Sequence, residues 1–243
     1  MSAVKQSLRV LLFDFDGVIL ETEQPGYWGW KKTYAEFGHD LSQEQYALVI
    51  GTHFGKFNPK EDLERKVGRP LDWERLDRER QEFYRQVISR QPVLAGVREL
   101  LSEARQAGVR AAIVSSSPRD WIEHWLAHTG LRGEFEYVMC VDEVPVPKPA
   151  PDLYLAALAR LGVAAAEAVA IEDSPNGSKA AQQAGLFCLL VPTEITARLA
   201  FEVDFPRVES LAGLGLAGIA RLKTQYEQTR ALASRRQSAK GQG

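Results

Sequence analysis

The sequence predicts an α/β fold: a Rossmann-like, doubly wound parallel sheet with an inserted α-helical domain. Three observations predict it. From Gly96 onward, short apolar runs alternate with helix-period segments through short connections. Those runs are continuously apolar, as expected of strands covered on both faces. The stretch between the first apolar run and Pro92 breaks the rhythm and holds no strand of the same quality.

The first strand is Val10-Leu11-Leu12-Phe13, which runs into Asp14-Phe15-Asp16-Gly17-Val18. Side chains at i and i+2 of a strand share a face, so this run delivers two carboxylates to one place. Like charges so close require a bound cation or a shared proton. A surface turn or a weak calcium loop is the plain alternative. The apolar strand before the pair argues against the turn, and the missing bidentate Glu argues against the loop.

The insert follows. Pro25 opens a helix at a position where proline is tolerated. Tyr27, Trp30, Tyr34 and Phe37 recur at helical spacing until Gly38, and read as core packing rather than a ligand box. Glu74 to Ser89 is a second helix, with Leu76, Phe83, Val87 and Ile88 along one stripe.

The core pattern then resumes. Val97 to Gln106 is a helix closed by Gly108, and Val109 to Val114 a strand. Arg119 to His128 is helical, with Trp121 and Trp125 one turn apart. Tyr137 to Val141 is a strand, and Pro151 to Leu161 a helix ended by Gly162. Ala168 to Ile171, Asn176 to Ala184 and Phe187 to Val191 complete the series as strand, helix and strand. The expected division is a discontinuous core of residues 1–22 and 92–225, a helical cap of residues 23–91, and a basic tail of residues 226–243. The tail, with Arg230, Arg235, Arg236 and Lys240 and no acid after Glu227, reads as a frayed helix with a disordered end.

Composition excludes several classes. The chain has 243 residues and a net charge of −2, which gives no case for nucleic acid or an anionic membrane as partner. No apolar segment is long enough to span a bilayer, and the N-terminal apolar run is too short for a signal peptide. Cys140 and Cys188 sit in apolar stretches and read as buried free thiols. A cytoplasmic protein, monomeric or weakly dimeric, is expected.

Ligands of open parallel sheets bind beyond the carboxyl ends of the strands. Asp14 and Asp16 stand there on the first strand, and Ser115, Ser116 and Ser117 on the next. Lys148, between prolines, follows another. Glu172, Asp173 and Ser174 follow the strand ending at Ile171. Each has a plain alternative as a helix cap or a solvated side chain. Together they fit one chemistry. Carboxylates hold a hard dication, hydroxyls, backbone N–H groups and an ammonium receive phosphate oxygens, and a second carboxylate is free to move protons.

These residues resemble the haloacid dehalogenase superfamily, in the branch of β-phosphoglucomutase and related sugar-phosphate phosphatases. The matching stretches are Asp14-Phe15-Asp16-Gly17-Val18-Ile19, Val114-Ser115-Ser116-Ser117, Lys148-Pro149-Ala150-Pro151-Asp152 and Ile171-Glu172-Asp173-Ser174-Pro175-Asn176-Gly177. The resemblance covers the chain apart from the basic tail. It implies Asp14 as a nucleophile that forms an aspartyl-phosphate, and Asp16 as the acid and base. It implies Ser115 and Ser116 on the phosphoryl group and Lys148 between it and Asp14. It implies Mg²⁺ held by Asp14, Asp173 and the backbone carbonyl of Asp16, with Glu172 as a ligand or a close associate. Members that displace halide lack the second Asp, so Asp16 indicates phosphoryl transfer.

The insert resembles the family's mobile cap, and Thr22, His53 and Lys56 are the specificity candidates. The mutase carries a histidine ten residues beyond its second Asp, where this chain has Gly26. The usual cap arginine is not evident either, unless His53 or Lys56 replaces it. The expected activity is therefore Mg²⁺-dependent hydrolysis of a small phosphorylated metabolite, a sugar phosphate. A phosphosugar mutase is the alternative, and a non-catalytic phosphate-ligand module a more distant one.

Overall fold

The computed structural model describes residues 8–50 and 57–240, and the side chains of these up to residue 233. Five parallel strands form one sheet in the order β3-β2-β1-β4-β5. They are β1 (Val10–Phe13), β2 (Arg110–Val114), β3 (Tyr137–Met139), β4 (Ala168–Glu172) and β5 (Phe187–Leu190). The first strand in the chain is thus the middle of the sheet. Its four residues are fully buried, as a strand covered on both faces requires. The order turns back on either side of β1, which places the ligand crevice of such sheets at its carboxyl end.

Register brings the polar residues level. Phe13 pairs with Ile113 on one side and with Ile171 on the other. The residues just beyond, Asp14, Val114 and Glu172, therefore share one rim, and Ser115 and Asp173 follow.

Helices α1 (Glu23–Glu36), α2 (Gln43–Ala47), α3 (Pro59–Val67) and α4 (Trp73–Ile88) lie between β1 and β2. Two of these match the expected helices within a few residues. Helices α2 and α3 are short and polar and give little periodicity to read. Each is secured by its N-cap instead: Ser42 in a reciprocal box with Gln45, and Asn58 accepting from the Lys60 amide. The aromatic stripe packs as expected. Tyr27, Trp30 and Tyr34 are buried with Leu41, Tyr46 and Leu63 in a cluster separate from the sheet core. That cluster takes in Ile195 and packs against Leu199, both from the chain after β5. Arg198 reaches Glu44 at 2.8 Å and Gln43 reaches Glu194 at 3.3 Å across the same seam.

The sheet is covered by α5 (Val97–Ala107), α6 (Arg119–Thr129), α7 (Asp152–Leu161), α8 (Pro175–Gln183) and α9 (Gly215–Lys240). Strand β3 ends two residues earlier than expected, because Val141–Glu143 turn into a 3₁₀ segment. The tail also differs. No break falls at residue 226; α9 runs unbroken through it to Lys240. Tyr226 packs its ring against Phe187 and Phe205, at centroid distances of 5.5 and 5.1 Å, which anchors the helix to β5. Cys140 and Cys188 are free and buried, as expected. Among the described residues, no helix is long and apolar enough to cross a membrane.

Candidate active site

Asp14 leaves β1 with its side chain 11% exposed and meets Lys148, which is 5% exposed. The Lys148 Nζ donates to Asp14 Oδ1 at 2.8 Å, to the Val114 carbonyl at 2.7 Å and to Glu172 Oε1 at 2.7 Å. Three donors of one ammonium thus meet three acceptors, two of them charged. Burial alone would lower the pKa of Lys148, but Asp14 and Glu172 outweigh it and hold the group above its ordinary value.

Glu172 is fully buried at the end of β4. Its Oε1 also accepts from the Tyr154 hydroxyl, while its Oε2 is buried without a hydrogen-bond partner. Burial pushes its pKa up, and the ion pair with Lys148 pulls it back. Only glycine fits beside it at position 177, where a Cβ would fall 1.9 Å from Oε2. Burial, then Asp14 and Glu172, raise Asp173 well above the ordinary carboxylate range. Gly17, at φ +78°, is required by the same crowding, since a Cβ there would lie 2.3 Å from Asp173 Oδ2. Neither acid caps the following helix: Ser174 does so, accepting from the Gly177 amide. The serine run does not cap α6 either, whose N-cap is Pro118 without a side-chain bond.

Asp14, Glu172 and Asp173 each offer an oxygen within 4.8 Å of the others. Two of these three buried carboxylates share one ammonium, and the second oxygen of Glu172 lacks a hydrogen-bond partner. This donor set fits a hard divalent cation. The Asp16 side chain is not part of this group. It turns the other way, accepting from Ser117 Oγ at 2.6 Å and from the Trp121 indole Nε1 at 3.2 Å. Burial and the charge of Asp14 raise the pKa of Asp16, and Ser117, Trp121 and the nearby Thr22 partly offset this. A carboxyl whose pKa is raised suits a general acid.

Ser115 is 1% exposed, and its Oγ accepts from the Ser117 amide at 3.0 Å. Ser116 Oγ accepts from the Lys148 amide at 3.3 Å. Both serines line a cavity of about 980 Å³ with Asp14, Asp16, Lys148 and Asp173. Thr22 borders it too, so this candidate lies beside the acid rather than at a distance. His53 and Lys56 lie outside the described residues.

Glu23, Tyr84, Arg85 and Tyr154 are not among the site residues expected from the sequence. The first three line the same cavity. Burial, with Asp16, Glu21 and Asp14 nearby, lifts the Glu23 carboxyl to about 8. Its position next to Thr22 was the one signal in the sequence. Arg85 and Tyr84 lie on the far helix of the insert, where nothing local marks them.

These carboxyls predict how a cation acts on stability. Their folded pKa values lie above the roughly 3.9–4.3 of unfolded carboxylates, so at these groups the metal-free folded chain binds more protons than the unfolded one. Their contribution to stability should fall as pH rises from about 4 towards 8. Mg²⁺ should relieve the repulsion, raising the melting temperature roughly 3–6 °C more at pH 8 than at pH 5. Thermal melts with MgCl₂ and with EDTA at both pH values test this; equal shifts would refute it.

Comparison with known proteins agrees with the geometry. Residues 11–191 match the model of the haloacid dehalogenase-like hydrolase family. The chain is 39% identical to YhcW of Bacillus subtilis over 210 residues, covering 86% of this chain and 95% of that protein. It is 28% identical to hexitol phosphatase B of Escherichia coli over 206 residues, covering 79% and 86% of the two chains. The crystal structure of a CbbY mutant from Rhodobacter sphaeroides, in complex with xylulose-(1,5)bisphosphate, superposes with a TM-score of 0.67 at 30% identity, over 87% of this chain and 98% of the other. The chain belongs to the haloacid dehalogenase-like hydrolases, in their branch of phosphoric monoester hydrolases.

Proposed function

We propose that this chain is a cytoplasmic Mg²⁺-dependent phosphatase that hydrolyses a small phosphorylated metabolite, a sugar phosphate, through an aspartyl-phosphate. The observation that carries the reading is the placement of the two aspartates. Asp14 faces Lys148 and the carboxylate group, while the Asp16 carboxyl is turned from them by its own donors. Two carboxylates two residues apart thus have opposite environments, which divides a nucleophile from an acid.

Asp14 attacks phosphorus, and the bond from phosphorus to the ester oxygen breaks. Asp16 gives its proton to the departing oxygen, then takes one from the water that cleaves the acyl phosphate. Lys148 balances the charge of Asp14 and the phosphoryl oxygens throughout. Ser115 and Ser116 offer hydroxyls to the same oxygens. Asp14 and Asp173, with the Asp16 carbonyl and Glu172 close by, would hold the Mg²⁺. When bound, it neutralises phosphate charge and aligns the group for in-line transfer.

Residues 23–91 act as the cap in this reading, and Thr22 and Glu23 stand at its root. The leaving group then occupies the part of the cavity bounded by Glu23, Leu48, Tyr84 and Arg85. A carboxyl, a cation and an aromatic face suit a polyhydroxylated, charged leaving group such as a sugar.

Hydrolysis is preferred over mutation of phosphosugars on a further observation. At Gly26, where the mutase has its histidine, a Cβ would lie 2.3 Å from the Tyr46 hydroxyl, which is buried. The space for that side chain is filled. The similarity to CbbY and to hexitol phosphatase B supports the sugar-phosphate class.

The test is phosphate release from a panel of phosphorylated sugars and polyols, with Mg²⁺ or with EDTA. Turnover of sugar phosphates that EDTA abolishes is expected. Isomerisation of a hexose 1-phosphate that needs a bisphosphate activator and releases little phosphate would overturn the proposal. So would a chain that turns over nothing in the panel.

A further inference from the structure

We infer that Trp121 is a positioning residue for the proton-transfer step, and that its stack on Tyr84 ties that step to closure of the cap. The inference rests on the phosphatase reading and on Asp16 as its acid. Trp121 lies in the first turn of α6, on the core side of the cavity. Its Nε1 donates to Asp16 Oδ1 at 3.2 Å, while Ser117 holds Oδ2 at 2.6 Å. Both oxygens of the acid are thereby tethered from α6 and the loop before it. An indole N–H donates only, and it neither takes up nor releases a proton in this range. It sets the direction of the carboxyl without competing for the transferred proton.

Two rings fix the plane of that indole. Trp125, 2% exposed, meets it edge-on, with centroids 5.5 Å apart and planes at 70°. Tyr84 lies flat against it, at 5.7 Å and 8°. Trp125 belongs to the same helix, but Tyr84 belongs to α4 of the insert. The Tyr84 hydroxyl also lies near Thr22, which in turn lies near Asp16. One cap residue therefore packs on one of the two groups that tether the acid. If the cap swings away, the indole loses its stacked face. The acid is then fully aligned only when Tyr84 is seated. This is a gating role: protonation of the leaving oxygen becomes efficient after the cavity has shut out water.

The consequence is readable in leaving-group dependence. An aryl ester departs as a stable phenolate and needs little help from Asp16, whereas an alkyl ester needs its proton. The comparison uses kcat/KM, which reports the steps up to release of the alcohol. The substrates are p-nitrophenyl phosphate, phenyl phosphate and glycerol 2-phosphate, with the full chain and Mg²⁺.

Trp121→Phe keeps a ring for Tyr84 and removes the N–H. It should lose roughly tenfold on glycerol 2-phosphate and less than about twofold on p-nitrophenyl phosphate. Tyr84→Ala, which removes no hydrogen bond to Asp16 itself, should show the same selective loss. Melting temperatures close to wild type, with retained aryl activity, show that the variants are folded. An active wild type whose Trp121→Phe or Tyr84→Ala variant loses equally on all three esters, or on none, overturns the inference and leaves the phosphatase reading standing. A wild type inactive on every ester overturns that reading, and the inference falls with it.

Discussion

Changing Asp14 to asparagine is expected to reduce phosphate release about 10⁴-fold or more, while the metal-free protein melts at or above the wild-type temperature. The two effects have one cause. Asparagine keeps the shape of the side chain but cannot attack phosphorus. It also removes a negative charge that bears on Asp16, Glu23, Glu172 and Asp173 together. Lys148 loses one counter-charge but keeps Glu172 and the Val114 carbonyl. A site arranged for chemistry is under electrostatic load, so silencing it can stabilise the fold. Phosphate release and melts in EDTA measure both arms. Activity above about one hundredth of wild type in the Asp14→Asn variant would rule out Asp14 as the nucleophile.

Lys148→Met is expected to act in the opposite sense on stability. Methionine approximates the length of the side chain but leaves Asp14 and Glu172 buried without their cation. Removing one partner of a buried pair costs about 3–5 kcal/mol. Activity should also fall about 10³-fold, because the phosphoryl group loses its opposing charge. The loss of stability should be smaller at pH 5 than at pH 8. Without the ammonium, Glu172, already raised by burial, is pushed further up and is more easily neutralised at the lower pH. Denaturant unfolding at both pH values checks this. A variant as stable as wild type at pH 8 would show that the ammonium is not what compensates these acids.

Much of this site was legible in the sequence, and for a physical reason. Asp14, Ser115, Lys148, Glu172 and Asp173 each follow a strand or lie in the loop that leaves it. In a parallel sheet, all such positions converge on one edge. Local patterns plus one topological rule were therefore enough to assemble them. What escaped was set by contacts that no local pattern encodes. Trp121 was read correctly as one turn from Trp125, but helical spacing does not say that its nitrogen reaches an aspartate 105 residues earlier in the chain. Tyr84 is one aromatic residue near the end of an amphipathic helix, and only docking of α4 over the cavity separates it from Phe83. Nothing local marks Tyr154 on α7, because its hydroxyl partner Glu172 lies on β4. The tail read from composition as a frayed helix, and the polar residues there conceal the anchoring contact that Tyr226 makes.

The seam between the helical cluster and the chain after β5 bears on re-engineering the enzyme. Ile195 completes the packing of Leu41, Tyr46 and Leu63, and Arg198 and Glu194 clamp α2 from outside residues 23–91. The unit that would have to be exchanged to graft another selectivity onto this scaffold is thus bipartite. A chimera that imports a foreign helical segment alone would set it against a mismatched Ile195 and Leu199. The short stretch from Thr193 to Leu199 belongs with the donor.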